Sequence, residues 1–392
     1  MPKVAVMTGT RADYGLLRPV IRKLLEKEDI QVDLLVTGSH LVDAYGHTID
    51  EIEADGFPIA ARLDILSQPV PKGRAGTAKR TALALGLFLE WFSQPENRPD
   101  CLLLLGDRYE AFAAGQAAAL LDIPLVHISG GDVTYGADDE WFRHCLTKMA
   151  KLHFPSCEVY RQRVICMGEQ PERVFSVGGL GDENIRQADL LTRQELEEVL
   201  KLDLSDDYAL VTWHPETQSA LEPAAQIDIL LAAIKNMPEL FFIFTAANAD
   251  AGGAEINARI EAFCEKNKKA VFMPSLGTQV YLSALCHATV VLGNSSSGVV
   301  ETPTLKVPAV DIGNRQAGRE TGQNVLHCAL DTEDILMTTE IALSGEFVQL
   351  ALEAESPYDG GGTSGKIVDI LTEFLREGRL KAPKQFYDGE AG

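Results

Sequence analysis

The sequence lacks the patterns that tie a chain to a membrane, a nucleic acid or a structural metal. No run of roughly 18 apolar residues occurs, which argues against a spanning helix. The opening MPKVAVMTGT turns polar too soon for a signal peptide. Basic runs are absent too: no block of about five Lys or Arg appears, and the formal net charge is −22. Such a surface repels a polyphosphate backbone, so no nucleic acid is expected as a partner. Seven cysteines (Cys101, Cys145, Cys157, Cys166, Cys264, Cys286 and Cys328) are scattered and never form a C-x-x-C pair. They read as core thiols rather than metal ligands. Neither a Walker A loop nor a G-x-G-x-x-G fingerprint is present, so neither ATP nor a nicotinamide cofactor is indicated. A cytoplasmic protein that meets no membrane is the expectation. A small anion stays open as a ligand, because a few arginines in a cleft set its local field.

What is present is material for large cores: 392 residues, 46% of them hydrophobic, favour two domains over one. Short apolar runs alternate with helical patterns at Lys3–Thr8, Val32–Thr37, Cys101–Leu105, Pro124–Ile128, Tyr208–Trp213, Leu240–Thr245, Ala270–Met273 and Thr289–Leu292. That alternation predicts α/β architecture with parallel sheets and crossover helices. Leu16, Leu17, Val20, Ile21, Leu24 and Leu25 recur at helical spacing, with Pro19 expected in the first helical turn. The helical and loop stretch Cys157–Asp206 separates two strand groups, predicting doubly wound domains over 1–175 and 176–360. Past the glycine-rich run after Tyr358, the segment 361–380, with a helix over Lys366–Arg376, is expected to pack back on the first domain. A ligand would lie at the carboxyl ends of both sheets, in the interdomain cleft.

Candidate residues cluster at those carboxyl ends. Arg11 follows the first strand just before a helix start, where a guanidinium adds full charge to the helix's partial positive end; a capped surface turn is the plain alternative. Gly293-Asn-Ser295-Ser296-Ser297-Gly opens a short helix, either as a phosphate cradle or as an ordinary N-cap. Glu301 follows at a reach suited to a ribose diol. Arg315 and Arg319 stand in a glycine-punctuated loop after another strand. His214 ends the Tyr208–Trp213 strand, as a phosphate ligand, an acid or a structural histidine. Asp107 ends one strand, and Asp132, Asp138, Asp139 and Glu140 follow the next. These carboxylates are candidates for proton transfer, or simply for stabilising a helix start.

Several ordered segments strengthen this reading: Gly9-Thr-Arg-Ala-Asp13-Tyr, Gly38-Ser-His-Leu-Val-Asp-Ala-Tyr-Gly-His-Thr, Gly106-Asp-Arg, His127-Ile-Ser129-Gly-Gly-Asp132, Arg143-His, His214-Pro-Glu-Thr, Asn248-Ala-Asp-Ala-Gly, Gly293-Asn-Ser-Ser-Ser-Gly and Arg315-Gln-Ala-Gly-Arg-Glu-Thr-Gly-Gln-Asn-Val. Together they resemble the hydrolysing UDP-N-acetylglucosamine 2-epimerases of the bacterial sialic and legionaminic acid type. The resemblance implies two Rossmann-like domains in a GT-B-type arrangement, no metal or nicotinamide cofactor, and a UDP-sugar substrate. It also implies a homodimer or homotetramer. The implied reaction removes the C2 proton with anti elimination of UDP, giving a 2-acetamidoglucal, and hydration then gives N-acetylmannosamine. By position, Asp107 and Asp139 resemble the acid/base carboxylates, and Arg11, His214, Ser295 and Ser296 the diphosphate ligands. Glu301 and Arg315 resemble residues around the ribose and nucleotide. Asp13, His127, Ser129, Asn248, Ser297 and Arg319 join the substrate-binding set.

One departure matters. Many members carry a glutamate two residues after the histidine matched by His127, and this chain has Ser129 there. Asp132 is the candidate replacement, or else Asp107 and Asp139 act with a water held by Ser129. The change leaves the sugar open, since a related branch acts on UDP-2,4-diacetamido-2,4,6-trideoxyglucose. A GT-B glycosyltransferase and an inactive nucleotide-sugar sensor remain the readings from other classes.

Overall fold

Runs of β-branched and leucine residues buried on both faces form parallel strands, because only a sheet covered by helices on each side hides them fully. The computed structural model describes residues 1–43, 47–71, 73–134, 139–216, 219–247 and 252–389. The chain divides into two units. One is Met1–Val133 with Ala137–Glu183 and Gly360–Gly392; the other is Asn184–Asp359 with Thr134–Gly136.

Unit one is built on β1 (Lys3–Thr8), β2 (Gln31–Thr37), β3 (Ile59–Leu63), β4 (Cys101–Leu105), β5 (Leu125–Ile128) and β6 (Leu152–Phe154), in the order β3-β2-β1-β4-β5-β6. Unit two repeats the plan with β7 (Tyr208–Thr212), β8 (Phe241–Thr245), β9 (Ala270–Phe272), β10 (Val290–Gly293), β11 (Ala309–Ile312) and β12 (Val325–Cys328), in the order β12-β11-β10-β7-β8-β9. Every strand pairing in both sheets is parallel. In each sheet the strand order reverses once, between β1 and β4 and between β7 and β10. At such a reversal the flanking crossovers leave in opposite directions and open a crevice at the strands' carboxyl ends.

The strands read from the sequence lie within a residue or two of those observed. The short β3, β6 and β12, which carry Arg or His, are additions, and β11 gives bounds to the strand expected ahead of Arg315. The position of Pro19 needs correction. The first helix is Arg11–Leu25, starting ahead of Leu16, where the apolar spacing begins, by about one and a half turns, so Pro19 lies in its interior. Thr10 sets that early start through a capping box with Asp13.

On one face of the first sheet, Leu17, Val20, Ile21 and Leu24 of the first helix share a core with Ile367, Val368, Leu371 and Phe374 of the helix Thr363–Arg376. The returning chain is clipped beside the departing one. Ser364 donates from its backbone N–H and its hydroxyl to Glu183, at 2.6 and 2.7 Å, and Thr363 Oγ1 donates to the Val177 carbonyl at 3.0 Å. Gly178 and Gly360 lie so close that a Cβ on either would overlap the other's backbone. Among the described residues no single helix is long and apolar enough to cross a membrane.

Leu371 is fully buried between the first helix and the sheet. Leu371→Ala should therefore cost about 2–5 kcal/mol, seen as a lower urea midpoint. An unchanged midpoint would mean that the returning helix adds nothing to the fold of unit one.

Candidate active site

At the reversal in unit one, β1 ends in Gly9-Thr10 and the first helix begins at Arg11. Arg11 is exposed, with Nε 2.9 Å from Glu51 Oε1. Asp13 turns inward: its carboxylate accepts from the backbone N–H groups of Gly9 (2.9 Å) and Thr10 (2.8 Å) and from the Thr8 hydroxyl (2.9 Å). Its oxygens build the turn. Behind Gly9, the buried Glu110 forms a two-pronged pair with Arg108, Nε to Oε2 at 3.2 Å and Nη2 to Oε1 at 2.8 Å. Gly38 has φ +62°, and a Cβ there would overlap the Gly9 carbonyl, so glycine is required for the two loops to meet.

Asp107 follows β4 after Gly106, which has φ +76°. It is fixed by Arg143, whose side chain is only 3% exposed. Nε and Nη2 of Arg143 both donate to Asp107 Oδ2, Nε at 3.0 Å. Nη1 donates to the Asp132 carbonyl at 2.9 Å and to Glu140 Oε2 at 3.0 Å. Burial works against the guanidinium charge, but Asp107, Asp132 and Glu140 outweigh it and raise the Arg143 pKa. Arg143 thus gathers three carboxylate-bearing residues, all pointed out by the sequence, around one cation. Asp139 is exposed at the first position of the same helix, Asp139–Met149, while Asp138 lies outside the described residues.

His127 sits fully buried in β5. Nε2 lies 2.8 Å from the Gly106 carbonyl and Nδ1 3.2 Å from Thr147 Oγ1. Burial outweighs the pull of that carbonyl and lowers its pKa to about 3, so the ring is neutral. The Nε2–H then donates to Gly106 O and Nδ1 accepts from Thr147. Both nitrogens are engaged inside the protein, and His127 steadies the residue before Asp107. Ser129 has φ +62°, rare for a residue with a Cβ, and its N–H donates to the Phe154 carbonyl at 3.0 Å.

In unit two the organiser is Asn294, fully buried at the end of β10. Oδ1 accepts from the His214 N–H at 2.7 Å and Nδ2 donates to the His214 carbonyl at 2.8 Å. The Asn294 carbonyl accepts from Arg315 Nη1 (3.1 Å) and Gln316 Nε2 (2.8 Å). One amide thereby ties the β7, β10 and β11 ends together. Gly293 permits this with φ +134°, since a Cβ there would overlap the Thr212 carbonyl. Glu216 Oε1 accepts from the N–H groups of Asn314 (2.8 Å) and Arg315 (3.2 Å), fixing the arginine loop.

The helix Ser297–Val300 starts without a side-chain cap from Ser296, which is exposed; Ser295 and Ser297 are half-buried. Its first N–H groups are engaged within the loop: that of Ser297 on Ser295 Oγ (3.4 Å), that of Gly298 on the Ser295 carbonyl (3.1 Å) and that of Val299 on the Ser296 carbonyl (3.1 Å). The Tyr281 hydroxyl bonds with Ser295, Ser297 and Thr212, and burial followed by the nearby Glu301 pushes its pKa up to about 12. Glu301 itself is raised by burial against a bond from Ser297, and its Oε2 is buried without a hydrogen-bond partner. Arg319 is half-buried one turn beyond Arg315, with its N–H on the Gln316 carbonyl at 3.1 Å. Asn248 lies outside the described residues. Asn294, Tyr281, Glu216, Glu110 and the anchoring role of Arg143 were missed by sequence reasoning. A buried-looking Asn after a strand and a Tyr inside an apolar helix are the only hints they leave. Among the described residues no three His, Cys, Asp or Glu side chains are grouped to hold a metal.

Parallel sheets of this strand order, with polar residues gathered at the reversal, define a Rossmann-type α/β protein. Residues 22–372 match the family described as UDP-N-acetylglucosamine 2-epimerase, so the chain belongs to that family and is an enzyme. It is 38% identical to polysialic acid biosynthesis protein P7 of Escherichia coli over 99% of this chain and 98% of that one. It is 36% identical to the GDP/UDP-N,N'-diacetylbacillosamine 2-epimerase (hydrolyzing) of Campylobacter jejuni, over 88% of this chain and 89% of that one. Its fold is shared with the UDP-GlcNAc 2-epimerase of Neisseria meningitidis crystallised with UDP-GlcNAc, at a TM-score of 0.80 and 18% identity, covering 95% of this chain and 100% of the other.

The buried state of His127 makes stability depend on pH. Its pKa of about 3 lies below the value of about 6.5 for an unfolded chain. The contribution is therefore whole above about pH 6.5 and is lost as the pH falls toward 3. His127→Gln should flatten that part of the urea-unfolding curve against pH; an identical slope would mean that the ring protonates freely in the folded protein.

Proposed function

We propose that the enzyme is a hydrolysing UDP-sugar 2-epimerase acting on UDP-N-acetylglucosamine. Base removal of the C2 proton with anti elimination of UDP gives 2-acetamidoglucal, and hydration releases N-acetylmannosamine. The observation that carries the reading is Asp107, held at the strand-order reversal by the buried Arg143 in a chain of this family. A proton-abstracting carboxylate needs a fixed direction more than anything else, and a guanidinium fork supplies it.

In this scheme Asp107 takes the C2 proton, and Asp139, exposed at the helix start, delivers a proton during hydration. Asp132 lies beside Arg143 and serves where relatives have the glutamate that Ser129 replaces. Unit two takes the leaving diphosphate. The hydroxyls of Ser295 and Ser296, His214 and Arg315 meet the negative charge that grows as the C1–O bond breaks, with Arg11 adding a further cation. Donors fixed before the reaction are worth about 10²–10³-fold each in such a site. Glu301 receives the ribose diol through its unpartnered oxygen.

A second reading keeps the chemistry and changes the sugar to a UDP-2,4-diacetamido-2,4,6-trideoxyhexose. It is favoured by the activity for which the Campylobacter jejuni relative is named and by Ser129. A panel of UDP- and GDP-linked amino sugars, with UDP release coupled to a colour change and the product identified by NMR, separates the two.

In deuterium oxide the released sugar should carry solvent deuterium at C2, and an unlabelled product would rule out elimination. Asp107→Asn should lower kcat by about 10²–10⁴-fold with UDP affinity unchanged. Arg11→Ala should weaken UDP binding, by roughly 1.5–3 kcal/mol for a lost charged hydrogen bond. Calorimetry showing the opposite pattern would exchange the roles of the two residues.

A further inference from the structure

Beyond the helix Thr363–Arg376, the chain runs on across unit one, and Lys384 turns into it. Its Nζ donates to the backbone carbonyls of Lys148 (2.6 Å) and Ala150 (2.7 Å), lies 3.4 Å from that of Thr147, and sits 2.7 Å from Glu169 Oε2. Those carbonyls end the helix Asp139–Met149, where the last C=O groups have no donors within the helix and partial negative charge collects. An ammonium there supplies both donors and opposite charge. Glu169 is buried and also accepts from Lys148 Nζ at 2.6 Å and His153 Nε2 at 3.0 Å. Burial works to raise its carboxyl, but the bonds from His153, Lys148 and Lys384 prevail and bring it to about 2.

Two further contacts fasten the same segment. The Tyr387 N–H donates to the Gly168 carbonyl at 3.0 Å, and the Phe386 ring lies against Gly168, which has φ +90° and no room for a Cβ. Lys148 Nζ stands 4.9 Å from the centre of that ring.

Both elements braced from behind lead to Asp107. The helix Asp139–Met149 carries Arg143, whose guanidinium holds the carboxylate. On β6, His153 is the register partner of His127, whose ring holds the carbonyl of Gly106. Lys384 thus grips the C-terminal end of the helix whose Arg143 holds Asp107 and, through Glu169 and His153, reaches the strand beside the one that carries His127.

We propose that residues 382–387 form a strap whose Lys384 sets the position of the helix Asp139–Met149, and with it the Arg143–Asp107 pair. Lys384 is a positioning residue and touches no substrate. The proposal rests on the reading of Asp107 as the group that removes the C2 proton.

The test uses the full-length chain and two readouts. Lys384→Met should lower kcat about tenfold, leave KM and UDP affinity within about twofold, and speed amide hydrogen exchange in residues 139–149 while leaving unit two unchanged; small misplacements of reacting groups carry penalties of this order. Lys384→Arg, which keeps a cation and its donors, should restore most of the rate. Deletion of residues 382–392 should reproduce the methionine variant. Wild-type kcat and wild-type exchange in Lys384→Met would overturn the strap, as would exchange accelerated equally through both units. Turnover that survives Asp107→Asn would instead overturn the reaction scheme, and the exchange data would still judge the strap.

Discussion

A guanidinium almost wholly withdrawn from water cannot stay in a protein interior unless anions and carbonyls surround it. Arg143 meets that requirement by drawing Asp107, the Asp132 backbone and Glu140 to one point. The residues come from three separate pieces of chain, the ends of β4 and β5 and the helix after them. Satisfying one buried charge therefore ties the segments after β4 and β5 to the helix Asp139–Met149. His127 adds a neutral counterpart by holding the Gly106 carbonyl from within the sheet, so Asp107 is constrained both through its side chain and through its neighbour's backbone.

Unit two solves the same problem with a neutral group. Asn294 gives both its amide donor and its amide acceptor to the backbone of His214 and its carbonyl to Arg315 and Gln316. A buried amide that fully used is costly to replace, because every substitute leaves some partner unsatisfied. The two units thus carry the same strand order and differ in what they organise: acidic groups around a cation in the first, cations and N–H groups around an amide in the second.

How much of this the sequence disclosed depended on the kind of interaction. Strands such as Cys101–Leu105 and Tyr208–Thr212 are legible because both faces are buried and nearly every residue is apolar. Leu152–Phe154 is not, since three residues with a histidine in the middle carry no period. The capping box of Thr10 and Asp13 went unread in the sequence, so the first helix was started too late and Pro19 was placed in its first turn. Positions of Asp107, Ser295 and Arg315 followed from strand ends. The partners that hold them did not, because Arg143 and Asn294 act over 36 and 80 residues of intervening chain, and nothing local marks such pairings. Lys384 left no trace at all: a lone lysine in a polar tail looks solvated.

The clip between Glu183 and Ser364 means that the chain leaves unit one and re-enters it at neighbouring points. Topologically, the stretch Asn184–Asp359 is a cassette spliced into unit one, with its two leads side by side. Such a cassette can be excised and the gap closed with a few residues, leaving the host's sheet order intact. In descent, such an arrangement is reached by inserting one α/β domain into another, without re-threading a strand.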